Sequence, residues 1–324
     1  MKKILITGSC GFIFSNFVRK LAYLVNKDNV TYPYNIVSLD KVGNNNLNAM
    51  YWNKNHTFYV ADILDEHILK TIFELERPDI VVHGAASTFD DSSIENPNLF
   101  VLNNVMGTQN IINVCAKSNV ERLIYLSTDE VYGELKSEHD KSWLETDFPN
   151  PRNPYSASKY AGELLVRAAS HTYGINFNII RPSNNYGPRQ FTEKLIPKTI
   201  KCILENKKIP LYGEGAQIRD WTHVFDNCQA ILDIIQKGAV NETYNVSANQ
   251  EFSNLEVVNK ICSLMGDKHE LISFIKDPRG NCHDFRYSVN TSKIKSLGWK
   301  PNFKFNDGIK DTIYWYLNNQ WFLK

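Results

Sequence analysis

The sequence predicts an α/β protein: a doubly wound parallel sheet followed by a smaller, mixed α/β C-terminal lobe. Three observations carry this. Short apolar runs alternate with helical patterns from Lys3 to Ile180, the rhythm of a parallel sheet wrapped by crossover helices. The first strand-to-helix turn is a glycine loop, Gly8-Ser9-Cys10-Gly11. After Arg181 the rhythm breaks at Pro182, Pro188, Pro197 and Pro210, with Gly187, Gly213 and Gly215 among them.

Lys3–Thr7 reads as the first strand, Phe12–Val25 as the helix after the loop, and Asn35–Leu39 as a strand ending in Asp40. This is the pattern of a βαβ dinucleotide site. Glycines let the backbone approach a pyrophosphate, the helix N-terminus offers unpaired N–H groups, and an acidic residue after the second strand can bind ribose hydroxyls. Asp40 fits that last role and favours NAD over NADP. It lies beyond the usual ~20 residues, which makes Lys27–Tyr34 an extended connection. Where such folds often place a third Gly or Ala, this chain has Phe14. That residue must displace the helix or turn its ring away from the sheet.

Thr57–Val60 is the next strand, with Asp62 beyond it as an adenine contact, and Glu66–Glu76 is a helix. Asp79–His83 is a buried strand running into Gly84-Ala85-Ala86-Ser87. Small residues there suit a cofactor lying across the strand end, and equally a tight turn. Pro97–Lys117 is a long helix carrying Asn103, Asn104 and Gly107 near its start. Strand Arg122–Leu126, a helix from Tyr155 to about Tyr173, and strand Ile175–Ile180 complete the pattern. Residues 1–182 form a Rossmann domain that binds NAD, and 183–324 mainly a second lobe, with a segment near 220–246 returning to the first. Glu256–Leu264 and Asn306–Leu317 are helices of the second lobe.

At 324 residues the chain exceeds the size at which single cores usually stop growing. Its 43% apolar and 22% charged residues are ordinary for a globular protein, and a net charge of +1 points to neither nucleic acid nor a membrane surface. The six cysteines (Cys10, Cys115, Cys202, Cys228, Cys262, Cys282) contain no C-x-x-C pair. Neither a metal site nor a disulfide framework is expected, and a reducing, cytoplasmic setting is the simplest reading. Met1-Lys2-Lys3 before Ile4-Leu5-Ile6 superficially resembles a signal peptide, but Thr7, Gly8, Ser9, Gly11 and Asn16 interrupt any long apolar core. No apolar run is long enough to span a bilayer.

The chemistry concentrates in Ser127-Thr128-Asp129-Glu130-Val131-Tyr132-Gly133, at the end of an apolar strand where open α/β sheets bind ligands. Downstream, Tyr155 and Lys159 are four apart, on one face of a helix. A neighbouring ammonium is expected to lower the phenol pKa from about 10, so that Tyr155 can take a proton from a hydroxyl as hydride leaves its carbon. An exposed amphipathic pair would have the same spacing. Two close carboxylates in a closed pocket do not easily both ionise, so Asp129 and Glu130 can divide acid and base roles. In the open they would be only a solvated turn or a helix cap.

These blocks, with Arg181–Pro188 (RPSNNYGP), Glu193–Pro197 (EKLIP) and Arg219-Asp220-Trp221, follow one another in an order that resembles the nucleotide-sugar 4,6-dehydratases of the extended short-chain dehydrogenase/reductase family, over nearly the whole chain. The resemblance implies a bound NAD and a UDP-glucose or dTDP-glucose substrate, converted to the 4-keto-6-deoxy sugar as in rhamnose and other deoxysugar biosynthesis. It implies that Tyr155, with Thr128 and Lys159, deprotonates the 4-hydroxyl, that Glu130 removes the C5 proton, and that Asp129 protonates the departing 6-hydroxyl. Cofactor contacts fall on Gly8, Gly11, Phe12, Ile13, Asp40, Asp62, Ile63, Ala85, Ala86, Ser87, Asn103, Ser127, Tyr155, Lys159 and Asn185. Substrate contacts fall on Thr88, Thr128, Asn184, Lys194, Leu195, Arg219, Asn254, Arg286 and Tyr287. Arg219 offers a fork suited to phosphate, or else a surface ion pair with Asp220. Relatives are often homodimers built on two long helices per subunit, here Pro97–Lys117 and the Tyr155 helix.

The chain departs from the family pattern in places. Phe89 stands where a His is common, and the usual Asp-Arg-Pro-Gly-His-Asp segment is altered to Asp277-Pro278-Arg279-Gly280-Asn281-Cys282-His283-Asp284. A nucleotide-sugar 4-epimerase or UDP-glucuronate decarboxylase would share the Tyr/Lys pair and the fold but resembles Asp129-Glu130 less. A non-catalytic NAD sensor or scaffold would not need all five catalytic groups.

Overall fold

The computed structural model describes residues 2–27, 34–41 and 55–323. The expected extended connection before Tyr34 therefore lies largely outside the described residues. The strands are β1 (Lys2–Thr7), β2 (Tyr34–Asp40), β3 (His56–Val60), β4 (Ile80–His83), β5 (Arg122–Leu126), β6 (Phe177–Pro182), β7 (Asn184–Tyr186), β8 (Ile209–Tyr212), β9 (Ile218–His223), β10 (Glu242–Val246), β11 (Glu251–Ser253) and β12 (Ile272–Ile275). Seven of them form one sheet in the order β10-β6-β5-β4-β1-β2-β3, parallel at every pairing. The order reverses between β1 and β4, the switch point where doubly wound sheets bind dinucleotides.

Both faces of this sheet are covered, so its strands are apolar runs rather than alternating ones. One face packs Ile4, Ile6, Val82 and Ile124 against helices Phe12–Lys27 and Val224–Lys237. The other packs Leu5, Val81, Leu123 and Ile179 against helices Glu66–Glu76, Gly107–Ala116 and Pro154–Tyr173. A separate core, including Tyr186, Ile200, Trp221, Val257 and Ile309, fills the C-terminal half around two small sheets, β11-β9-β7 and β12-β8. Among the described residues no helix is long and apolar enough to cross a membrane.

Local chemistry sets the helix ends. Asn153 caps Pro154–Tyr173 by accepting from the Ser156 N–H at 2.7 Å, Pro154 sits in the first turn where a missing N–H costs nothing, and Gly174 closes the helix at φ +71°. Asp65 caps Glu66–Glu76 in the same way, and Ser253 with Glu256 forms a capping box on Asn254–Leu264.

Several expectations are adjusted. The long helix after Pro97 is wound with i→i+5 bonds over Val101–Met106 before continuing as Gly107–Ala116, which turns Asn103 and Asn104 inward. The strand expected at Ile175–Ile180 runs Phe177–Pro182, two residues later. The returning segment does not begin at 220: residues 218–223 form β9 of the small sheet, and the return consists of helix Val224–Lys237 and β10, which pairs with β6. Phe14 does not turn its ring away from the sheet. It is buried at 2% exposure, and its ring fills the space beside Gly84, where an added Cβ would come within 1.7 Å of Cε2. The bulk at the third-glycine position is matched by a glycine on the facing strand end.

A double-mutant cycle tests that match. Gly84→Ala alone is expected to cost on the order of 1–3 kcal/mol in urea unfolding, the usual range for overpacking. In a Phe14→Ala background the same substitution should cost little, and equal costs in both backgrounds would refute the contact.

Candidate active site

The carboxyl ends of β1, β2, β4 and β5 open onto a cavity of about 430 Å³. Its floor is the glycine loop. Gly8 has φ +72°, and a Cβ there would lie 2.7 Å from the Ala85 nitrogen, so glycine is required by both conformation and contact. The Gly11 N–H donates to the Gly8 carbonyl at 3.0 Å, opening the helix N-terminus toward the cavity. Asp40, 9% exposed, ends β2 and accepts from the Cys10 N–H at 2.9 Å, which ties it to the loop. An acid rather than an arginine at this edge suits a ribose diol. Phe12, Ile13, Asp62, Ile63, Ala85, Ala86, Ser87, Asn103, Ser127 and Asn185 line the same cavity. The Asn185 Oδ1 is buried without a hydrogen-bond partner among the described residues. These residues fit a dinucleotide. The stretch after β4 is extended rather than a tight turn: Gly84 and Ala85 donate to the Thr7 hydroxyl, and Asn104 holds Ser87 through both its amide groups.

The reactive groups converge at the far end. Thr128 follows β5 and caps the short turn Asp129–Tyr132, its hydroxyl accepting from the Glu130 N–H at 3.3 Å. Asp129 is 3% exposed, Tyr155 8% and Lys159 3%, so neither the solvated turn nor the exposed helix pair describes them. The Asn153 side chain that caps helix Pro154–Tyr173 also donates to Glu130 Oε2 at 3.3 Å. Sequence reasoning missed this residue, although Asn-Pro before a helix is a readable start signal.

Burial governs the titration of these groups. Asp129 is pushed up by burial, with Arg219 opposing and Asp220 adding to the rise. Glu130 is pushed up by burial and then by the charges of Asp90 and Asp129, against Lys194 and Arg219. Lys159 falls to about 7 through burial, partly restored by Glu163. Tyr155 corrects an expectation. It is not lowered but held well above the usual phenol range, by burial first and then by Glu130 and Asp90, with a hydrogen bond from Thr128 opposing. Burial and these carboxylates set that direction, not Lys159. Its ammonium faces the Tyr125 ring at 4.3 Å instead.

Beneath the site lies a buried ion pair. Arg181 donates to both oxygens of Glu163, at 2.9 and 2.6 Å, and Ser127 donates to Oε1 at 2.5 Å. Both charged residues are at most 2% exposed.

A second cavity of about 160 Å³ adjoins the first and shares Glu130, Asn184, Asn185 and Lys194 with it. Leu195, Arg219, Asn254 and Tyr287 line the smaller one, and Thr88 lines the larger. Arg219 is 5% exposed and stacks 4.3 Å from the Tyr287 ring centre. It makes no surface pair with Asp220, which is fully buried and accepts from Ser247 and the Gln250 N–H. Arg286 lines neither cavity; its guanidinium donates to Glu251 at 2.5 and 2.9 Å and to the carbonyls of Ser137 and Asp140.

A Rossmann sheet with a glycine cradle, an acid at the second strand end and a Thr/Tyr/Lys centre defines a nicotinamide-dependent enzyme of proton and hydride chemistry. The NAD dependent epimerase/dehydratase family matches residues 4–247, and the chain belongs to that family. It is similar to the low-salt glycan biosynthesis protein Agl12 of Haloferax volcanii, at 38% identity covering 98% of this chain and 99% of that one. It is 40% identical to the dTDP-glucose 4,6-dehydratase of Xanthomonas campestris, over 98% of this chain and 93% of the relative. The structure superposes on the dTDP-glucose 4,6-dehydratase DesIV of Streptomyces venezuelae, solved with NAD bound, with a TM-score of 0.92, 35% identity and 99% of both chains covered.

Removing the charge of Glu163 should expose what the buried pair does. Glu163→Gln leaves Arg181 uncompensated and is expected to destabilise the fold by about 3–5 kcal/mol, read as a lowered urea midpoint. Asp40→Ala should raise the Kd for NAD by roughly ten- to a hundredfold, the worth of hydrogen bonds to a charged acceptor, measured by calorimetry on cofactor-stripped protein.

Proposed function

We propose that the protein is an NAD-dependent nucleotide-glucose 4,6-dehydratase, a hydro-lyase acting on dTDP-glucose in preference to UDP-glucose. The observation that carries this is the pair Asp129 and Glu130, both raised by burial, beside a Thr128/Tyr155/Lys159 centre at the end of a dinucleotide cavity. A simple alcohol dehydrogenase or an epimerase has no need of two such carboxylates. The preference for thymidine rests on the full-length similarity to dTDP-glucose enzymes. Residues 1–182 with the returning helix and β10 hold the cofactor, and the rest forms the wall for the nucleotide sugar.

NAD supplies the acceptor for hydride and its return. Tyr155, oriented by Thr128, takes the proton of the sugar 4-hydroxyl. Its raised resting pKa means this step relies on charge brought in with the bound ligands, with Lys159 as the local cation. The ketone formed at C4 acidifies the C5–H bond. Glu130 removes that proton, and its raised pKa makes it a stronger base than an exposed carboxylate. Burial raises Asp129 into the range where it can carry a proton, which it gives to the departing 6-hydroxyl. Thr88, Asn184, Lys194, Leu195, Arg219, Asn254 and Tyr287 contact the nucleotide sugar, and the product enters deoxysugar biosynthesis in the cytoplasm.

The protein also works as a homodimer in this reading. Leu99, Leu102 and Met106 on the long helix and Leu164 on the catalytic helix are each 40–49% exposed, an apolar face that a second copy would cover. Leu102→Glu with Met106→Glu should convert the dimer to monomer in sedimentation.

Incubation with dTDP-glucose should yield a product lighter by one water in mass spectrometry, and an isomer of unchanged mass would mean epimerisation. Glu130→Gln should lose about 10²- to 10⁴-fold in turnover while reduced nicotinamide accumulates, because oxidation at C4 precedes the blocked step. The ionised form of Glu130 disappears as pH falls through its raised pKa. The acid limb of kcat/KM should therefore lie well above the ordinary carboxylate value of about 4, and a limb near 4 would remove Glu130 as the base.

A further inference from the structure

Two departures from the family pattern meet on one wall of the smaller cavity. Phe89, Asp90 and Asp91 line it from one side, and Arg279 and His283 from the other. Arg279 bridges them. Its Nη1 lies 3.0 Å from Asp90 Oδ2, and its Nε donates to Asp91 Oδ1 at 2.5 Å, across a sequence separation of 188 residues. The Tyr212 hydroxyl donates to the remaining Asp91 oxygen at 2.9 Å. Asp91 is thus bonded through both oxygens. Asp90 is not: its Oδ1 is buried and has no hydrogen-bond partner among the described residues. A buried carboxylate oxygen without a donor is costly, and on a residue that lines a binding cavity it is the kind of acceptor a ligand hydroxyl completes.

Its neighbours locate the matter further. Asp90 shares the cavity with Glu130, Asn184 and Lys194, which are among the residues at which the two cavities join. Phe89 brings no polar group to the wall and instead faces the Lys194 ammonium, 5.4 Å from its ring centre. The only carboxylate oxygen that wall leaves unbonded is therefore that of Asp90, within electrostatic reach of Glu130 and Tyr155.

We propose that Asp90 is a specificity-determining residue, its Oδ1 accepting a hydrogen bond from the 2- or 3-hydroxyl of the sugar while Arg279 fixes the carboxylate. This rests on the nucleotide-glucose reading, in which the 4- and 6-hydroxyls are already taken by Tyr155 and Asp129. Arg279 acts as a positioning residue: held by two ion pairs and the Tyr212-bonded Asp91, it stops the Asp90 side chain from rotating into solvent.

The test is kcat/KM for dTDP-glucose and its 2-deoxy and 3-deoxy analogues, in wild type, Asp90→Ala and Arg279→Gln. Wild type should reject one analogue by about 10- to 100-fold, since the acceptor is left unpaired. In Asp90→Ala that discrimination should collapse toward unity, through loss with dTDP-glucose and little change with the analogue. Arg279→Gln should keep a reduced discrimination against the same analogue. Full discrimination retained in Asp90→Ala overturns the assignment. So does a wild-type enzyme that treats all three substrates alike, which needs no variant to fold. A wild type that dehydrates none of the three overturns the nucleotide-glucose reading itself.

Discussion

The buried pair of Glu163 and Arg181 is the constraint on which the active site depends. Glu163 sits one turn beyond Lys159 and two beyond Tyr155, on the same face of the catalytic helix. Arg181 comes from β6 and Ser127 from the end of β5. One carboxylate thereby fixes the helix that carries the proton-handling groups to the strand end that carries Thr128, Asp129 and Glu130. Two charges removed from water gain little net energy. What they impose is geometry, because a fork bonded to both oxygens of a carboxylate tolerates little rotation. The guanidinium also lies 4.6 Å from the Tyr132 ring centre, and the Tyr132 hydroxyl donates to Asn245 on β10, so the returning strand is held to the same centre.

The same burial that makes this pair rigid produces the electrostatics of the site. The four groups gathered at the end of β5 and on the Tyr155 helix are displaced first by loss of water: Asp129 and Glu130 upward, Tyr155 upward, Lys159 downward. Neighbouring charges then sort them. Arg219 restrains Asp129, whereas Asp90 and Asp129 push Glu130 further. Two carboxylates a residue apart can both be raised, and so share protons between them, only where water does not screen them.

Much of this was legible in the sequence. Strand–helix alternation gave the parallel sheet, because crossover helices oblige both faces to be apolar. The glycine loop, Asp40 and the Asp129-Glu130 pair were readable because each depends on local backbone and position in a βαβ unit. What was not legible depends on contacts distant in sequence. Phe14 looked disruptive until Gly84 was found opposite it. Arg286 looked available until Glu251 was found to occupy it. The depressed phenol expected for Tyr155 failed because spacing along a helix reports a neighbour but not the depth at which the pair is buried. Asn153 was passed over, because its bond to Glu130 joins residues 23 apart in the chain.

The chain passes between its two halves after β6, after β9 and after β10, and these points are stitched together. The Ser183 N–H donates to the Val246 carbonyl at 2.9 Å, the Ser183 and Thr222 hydroxyls are 2.8 Å apart, and the Ala248 N–H donates to the Thr222 hydroxyl at 2.8 Å. All of these residues are buried. Asn184 and Asn185 leave the first crossing and Arg219 approaches the second, so the residues on which both cavities rely are carried by a pinned seam rather than by free loops. Opening the cleft by rotation at this seam would break several buried hydrogen bonds together, each costly to leave unmade. The bridge from Arg279 to Asp90 and Asp91 lies away from the seam and is made by side chains alone. Adjustment to a nucleotide sugar is therefore expected at that outer wall, while the carboxylates that carry the chemistry stay where the seam and the buried pair hold them.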